Sequence, residues 1–243
     1  MNNNFIAQIQ NLNLDFKGKK LFKNLNFNIL ENKSTALLGT SGVGKSTLLR
    51  CIADLEKENI SNGEIVLKEG TNIAWLSQEN SLYPWLSILD NVQLYHHLKG
   101  NKTKLTLQKA KELIEKVNMS EHLNKKTYEL SGGQKQRVAL ARTLMQDANL
   151  ILMDEPFSAL DAITKIQLQD LTCELLKDKT IVLVTHDPQE AIKLSNHIYI
   201  LKSQPVTVEE VASLQGALPH QLSNEKLWNL QEELISKLLE SQI

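Results

Sequence analysis

Two cysteines in 243 residues are too few for a disulfide framework. Cys51 and Cys173 lie far apart inside apolar helical patterns and read as core residues in a reducing compartment. No apolar run approaches the ~20 residues that a membrane-spanning helix needs. Met1 is followed by Asn-Asn-Asn, not by the basic and then apolar stretch of a signal peptide. The expectation is a cytoplasmic chain whose membrane role, if it has one, is reached through a partner. Charge of one sign is missing too, with 27 Lys+Arg against 28 Asp+Glu and a formal net charge of −1. That argues against a general affinity for nucleic acid. The length suffices for a proper core, either as one α/β domain or as a domain with a lobe inserted in it.

What is present is concentrated in a few stretches. Gly39, Thr40, Ser41, Gly42, Val43, Gly44, Lys45, Ser46 and Thr47 fit the phosphate-loop pattern G-x-x-x-x-G-K-[ST]. A short apolar strand precedes it and an apolar-faced helix follows. The glycines let backbone N–H groups turn inward toward phosphate, and the helix offers its partly positive N-terminus. Lys45 would reach the β- and γ-phosphates and Ser46 would ligate Mg²⁺, so the loop implies a nucleoside triphosphate. Upstream, the runs ending at Leu14 and beginning at Leu21 suggest an antiparallel hairpin at a sheet edge. Phe16, just before the turn, is either hairpin core or an aromatic platform for a nucleobase.

Asn149–Met153 is a continuous apolar run of the kind a central parallel strand has, and it delivers Asp154 and Glu155 at its carboxyl end. Asp154 would hold Mg²⁺ opposite Ser46, and Glu155 is the candidate base for an attacking water. Thr180–Val184 is a second buried run, ending at His186, which could donate to a γ-phosphate. Gln78 closes an earlier strand; it is either a solvated polar end or a ligand of Mg²⁺ and water. Between these runs, residues Pro84–Tyr128 show helical periodicity only, with Tyr83, Pro84 and Trp85 in a loop ahead of it. Leu130-Ser131-Gly132-Gly133-Gln134 then opens another helix with a second phosphate-binding geometry, which one nucleotide has no need of. After Pro205 the pattern weakens. Leu227, Leu230, Leu234 and Leu238 share a helix face there, either packed or available for association.

Taken in order from Phe16 to about Leu201, these elements resemble the ATPase subunit of ABC transporters. Leu130–Gln134 matches the family signature without change. Walker A at Gly39–Ser46, Walker B at Ile151–Asp154 with Glu155, the Q-loop at Gln78, the D-loop at Ser158–Asp161 and the H-loop at His186 follow in family order. The resemblance implies a P-loop NTPase (RecA-like) α/β core with an antiparallel β edge subdomain and an inserted α-helical subdomain. Its parts would be 1–82 and 148–204 for the ATP-binding core, 83–147 for the helical lobe, and 205–243 for a short tail helix. It implies ATP and Mg²⁺ as cofactors, the latter held by Ser46, Gln78 and Asp154, and catalysis by Glu155, His186, Lys45 and Gln78. Two copies would pair head to tail, so that Ser131, Gly132, Gly133, Gln134 and Asp161 meet the partner's ATP. Phe16 would then stack on adenine.

The stretch Gln78–Leu86 and the residues around Asp154 and His186 look like importers of the nitrate, sulfonate, taurine and thiamine-precursor group. There, Tyr83, Pro84 and Trp85 would meet an integral-membrane permease, which an extracytoplasmic solute-binding protein serves. The chain would sit on the inner face of the cell membrane through that permease. An exporter ATPase and a soluble ABC ATPase without a transporter are the alternatives. Nothing in the chain encodes the solute.

Overall fold

Three apolar runs become the fully buried centre of a parallel sheet: β3 (Ser34–Leu38), β6 (Leu150–Asp154) and β7 (Thr180–Thr185). The computed structural model describes residues 4–16, 18–202, 206–221 and 225–240; the side chains of Phe16 and Lys19 lie outside that description. With β5 (Ile73–Leu76), β8 (His197–Lys202) and β9 (Thr207–Ser213), these strands form a six-stranded sheet in the order β5-β6-β7-β3-β8-β9. All neighbours are parallel except β9, which runs antiparallel to β8. Because β7 lies between β6 and β3, the loops leaving these three strands emerge side by side, at the carboxyl edge where open α/β sheets bind ligands.

The hairpin strands β1 (Phe5–Phe16) and β2 (Lys19–Leu30) do not join this sheet. They pair with β4 (Ile60–Leu67) in a separate antiparallel sheet, order β2-β1-β4. Its inner face (Ile6, Leu12, Phe22, Ile29) packs with Leu48 and Ile52 of α1 (Lys45–Ile52) against Leu150 and Val182. The residues between β5 and β6 are helical: α2 (Ile88–Val92), α3 (Leu94–Leu98), α4 (Lys104–Lys116) and α5 (Gly132–Leu144). Ile88, Val92, Ala110, Ile114, Val138 and Leu140 share one core, continuous with Leu76 and Met153 of the sheet. The lobe is therefore packed onto the sheet through apolar contacts and not hung from it.

The last third holds α6 (Ala162–Leu176), α7 (Pro188–Leu194) and α8 (Glu225–Glu240). Strand β9 corrects the reading of residues 205–243 as a tail helix alone. Its adjacent Glu209 and Glu210 hide the alternation, yet both serve the ladder: Lys202 Nζ lies 2.6 Å from Glu209 and His197 Nδ1 2.9 Å from Glu210. Charges on an edge strand also discourage pairing with other chains. Helix α8 is packed. Leu234 is fully buried, and Leu227, Leu230 and Leu238 lie against Ile192, Ile198 and Ile200.

Candidate active site

A cleft of about 540 Å³ opens above the carboxyl ends of β3, β6 and β7, lined by Lys20, Leu21, Ser41, Gly42, Gly44, Lys45, Ser46, Thr47, Gln78 and Glu155. The loop from Gly39 wraps into α1, and Gly44 is its N-cap with φ 112°. A Cβ there would be strained by that angle, which is why the position is glycine, and it would also press within 3.3 Å of the Leu21 side chain. Lys45 Nζ donates to the carbonyls of Gly39 at 2.8 Å and Thr40 at 2.9 Å, and lies 3.7 Å from Glu155 Oε1. Burial pulls the Lys45 ammonium below the usual lysine range, and the charges of Glu155 and Asp154 oppose that shift.

Across the cleft, Ser46 Oγ donates to Asp154 Oδ1 at 2.8 Å. Burial pushes the Asp154 carboxyl up, while the bond from Ser46 pulls it back. A hydroxyl and a carboxylate that face each other are an oxygen donor pair that suits Mg²⁺. Among the described residues no group of three or more His, Cys, Asp or Glu is placed to hold a metal. Glu155 follows in the left-handed region at φ 45°, which costs a non-glycine residue about 1–2 kcal/mol. Its N–H donates to Val184 O at 3.0 Å, which anchors the turn on β7. The turn aims Glu155 at His186, whose Nδ1 lies 3.0 Å from Glu155 Oε2. A carboxylate only accepts, so Nδ1 carries the proton and Nε2 is the nitrogen left for a ligand. Gln78 Nε2 donates to Ser158 Oγ at 3.3 Å, and Ser158 Oγ donates to Glu155 O at 2.9 Å.

The residues of the signature lie elsewhere. Ser131 caps α5, its Oγ accepting from Gln134 N at 3.3 Å while Gln134 Oε1 accepts from Ser131 N at 3.0 Å. Asp161 caps α6 by accepting from Thr164 N at 3.0 Å. Neither Ser131–Gln134 nor Asp161 lines the phosphate-loop cleft of its own chain. Tyr83 and Trp85 are exposed on the outer side of the helical lobe, 40% and 67% by area, with ring centroids 5.1 Å apart and Pro84 exposed between them.

The structure adds residues that the sequence reading left out. Lys20 and Leu21 line the cleft, although locally they read only as turn and strand. Arg142 reaches from α5 to the carbonyls of Asn80 and Ser81. Its signal was a charge at helical spacing from the apolar Val138 and Met145. Phe16 ends β1, but its side chain is outside the described set, as is Lys17 entirely.

The comparisons with known proteins agree with this geometry. The family described as ABC transporter matches residues 22–158, a little over half of the chain. An uncharacterized ABC transporter ATP-binding protein of Haemophilus influenzae is 53% identical over 96% of this chain and 98% of its own length. The aliphatic sulfonates import ATP-binding protein SsuB of Bacillus cereus is 35% identical, with 90% and 88% covered. The taurine import ATP-binding protein TauB of Pelagibacter ubique is 33% identical, with 94% and 97% covered. Among solved structures, a dimeric bacterial ABC transporter cassette superposes with a TM-score of 0.74 at 31% identity, covering 86% of this chain and 99% of that one. The same cassette solved with ADP and Pi after hydrolysis gives the same values. The chain belongs to the ABC transporter family, as an ATP-hydrolysing cassette.

Proposed function

We propose that this chain is the peripheral ATPase subunit of an importer for a small organic solute of the sulfonate or taurine class. Two copies would pair head to tail beneath integral-membrane permease subunits at the inner face of the cell membrane. The observation that carries this reading is the convergence of Lys45, Ser46, Asp154, Glu155, His186 and Gln78 in one cleft, with the signature residues held outside it. A capped helix start with no nucleotide of its own is what a second copy would need to close over ATP. The names of the sulfonate and taurine import relatives support the direction of transport and the solute class. No described helix is long and apolar enough to cross a membrane, and in this reading the solute path belongs to a partner. The exposed Tyr83–Trp85 pair is the surface proposed to meet it.

ATP would lie along Gly39–Thr47 with its phosphates on the loop N–H groups and the N-terminus of α1. Lys45, which donates to the Gly39 and Thr40 carbonyls beside Glu155, would bring its ammonium to the phosphates. Ser46, Asp154 and Gln78 would hold Mg²⁺, which supplies positive charge at the phosphate oxygens. Glu155 would accept the proton of a water whose oxygen attacks the γ-phosphorus, the bridging oxygen leaving with ADP. His186 would donate from Nε2 to the γ-phosphate, which, with Nδ1–H already on Glu155, requires both ring nitrogens to carry a proton.

The test is to purify tagged Glu155→Gln protein from membranes in the presence of ATP and identify what accompanies it by mass spectrometry. A multi-span permease in the eluate supports the importer reading, and its gene neighbours lead to the solute. A soluble eluate of ribosomal or DNA-repair proteins overturns it.

A further inference from the structure

The geometry points to Arg142 as a positioning residue that locks the segment after Gln78 to the helix carrying the signature, so that the two halves of the composite ATP site move as one body. This rests on the roles proposed above for Gln78 and Ser131. Arg142 donates from Nη2 to Asn80 O at 2.7 Å and from Nη1 to Ser81 O at 2.8 Å. Both are main-chain carbonyls, so the fork fixes backbone and not a side chain. Ser81 takes φ 46°, a left-handed turn in a non-glycine residue, and the guanidinium holds the carbonyls on either side of its nitrogen. No carboxylate pairs with Arg142 among the described residues, although the group is half-buried and burial draws it below the usual arginine range. A glutamine would fill an ordinary helix position there without burying a charge. The hydrogen bonds that offset this cost go to the two loop carbonyls, which ties the charge to the loop.

The same segment is fastened twice more. Asn91, fully buried on α2, accepts from Tyr83 N at 2.8 Å and donates to Tyr83 O at 3.1 Å. Lys126 Nζ donates to Trp85 O at 2.8 Å, just ahead of the signature. Residues 80–85 are thus bonded through their backbone to three elements of the helical lobe. Gln78, by contrast, bonds to the other side of the cleft through Ser158, at 3.3 Å. Arg142 stands about three turns along α5 from Ser131, or roughly 16 Å on a rigid rod. A push on Tyr83–Trp85 is therefore passed to Gln78 on one side and to Ser131 on the other.

The experiment compares wild type, Arg142→Lys and Arg142→Ala for ATPase kcat, KM for ATP, binding of a fluorescent ATP analogue, and melting temperature. Each substitution is also made in a Gln78→Ala background. Expected are a kcat lower by about tenfold in Arg142→Lys and more in Arg142→Ala, with KM and analogue affinity within about twofold of wild type. In the Gln78→Ala background the further loss from Arg142→Lys should shrink to under about twofold, because the residue acts through that loop. An equal loss in both backgrounds, or a kcat for Arg142→Lys equal to wild type, overturns the inference. Wild type that hydrolyses no ATP refutes the proposed function instead, so the two failures are distinguishable.

Discussion

The adjacent glycines of the signature are glycine for different reasons, and the difference can be measured. A Cβ built on Gly133 would sit 2.5 Å from Thr164 Cγ2 on α6, about 1 Å inside ordinary contact distance, whereas one on Gly132 meets nothing within 4 Å. Gly133→Ala should therefore overpack the α5–α6 junction, at about 1–3 kcal/mol. The helix preference of Ala over Gly returns about 0.5–1 kcal/mol. The net loss is about 0–2.5 kcal/mol, or up to roughly 10 °C in melting temperature for a chain of this size. Thr164→Ser removes the obstructing methyl and keeps the hydroxyl that bonds Asp161. In a double-mutant cycle read by urea unfolding, Gly133→Ala should cost at least about 1 kcal/mol less in the Thr164→Ser background than in wild type. Gly132→Ala should cost no stability, yet its methyl would face whatever closes over this helix start. If that is the partner's ATP, Gly132→Ala lowers ATPase turnover without lowering the melting temperature. Equal costs for Gly133→Ala in both backgrounds would falsify the packing argument.

Three further outcomes follow from the cleft and its surroundings. Glu155→Gln keeps the shape of the side chain and removes the base, so turnover should fall by about 10²–10⁴ while ATP binding stays within about twofold; loss of binding would contradict the role given to Glu155. Ser46→Ala removes the bond that pulls the Asp154 carboxyl down, and the Mg²⁺ concentration for half-maximal ATPase should rise by at least about tenfold; an unchanged Mg²⁺ titration contradicts it. Lys165 bridges Asp187 at 2.7 Å and the buried Glu190 at 2.8 Å, so Lys165→Met leaves Glu190 with only the neutral donors Thr185 Oγ1 and Gln169 Nε2 among the bonds described and should cost about 1–3 kcal/mol by urea unfolding at neutral pH. Burial alone would lower the Lys165 ammonium, but its bonds to Asp187 and Glu190 raise it above the usual lysine value. Its contribution is therefore complete below that ordinary value and is lost as pH rises through the raised one. The gap between wild type and Lys165→Met should narrow only in the strongly alkaline range, and a gap that closed near neutrality would contradict the bridge.

The legible parts of this chain were those in which one local rule decided the outcome. The apolar runs of β3, β6 and β7 have no competing reading, because alternation is not needed in strands buried on both faces. Ser131, at the helix start read from the glycines that follow it, accepts from a backbone N–H three residues on, a geometry fixed by spacing alone. Strand β9 was not legible. Its register is set by β8 and its charges by an edge, and neither is visible in seven residues read by themselves. The independence of the hairpin sheet was hidden for the same reason, since β1 finds β4 across more than forty residues of intervening chain.

The same distinction explains why the meeting of the site's side chains was readable and the fastening of the loop beside them was not. Lys45, Ser46, Asp154, Glu155 and His186 are each placed by the end of a strand, so fixing the strand order fixes their meeting. Arg142, Asn91 and Lys126 act on main-chain atoms of residues well removed along the chain. A backbone carbonyl has no sequence identity, so nothing at Asn80, Ser81, Tyr83 or Trp85 announces the bond. Only the donor leaves a trace, as a polar residue set among apolar ones on a packed helix. Polar residues of that kind in a helical lobe are therefore the positions at which to look for coupling between a nucleotide site and a distant surface.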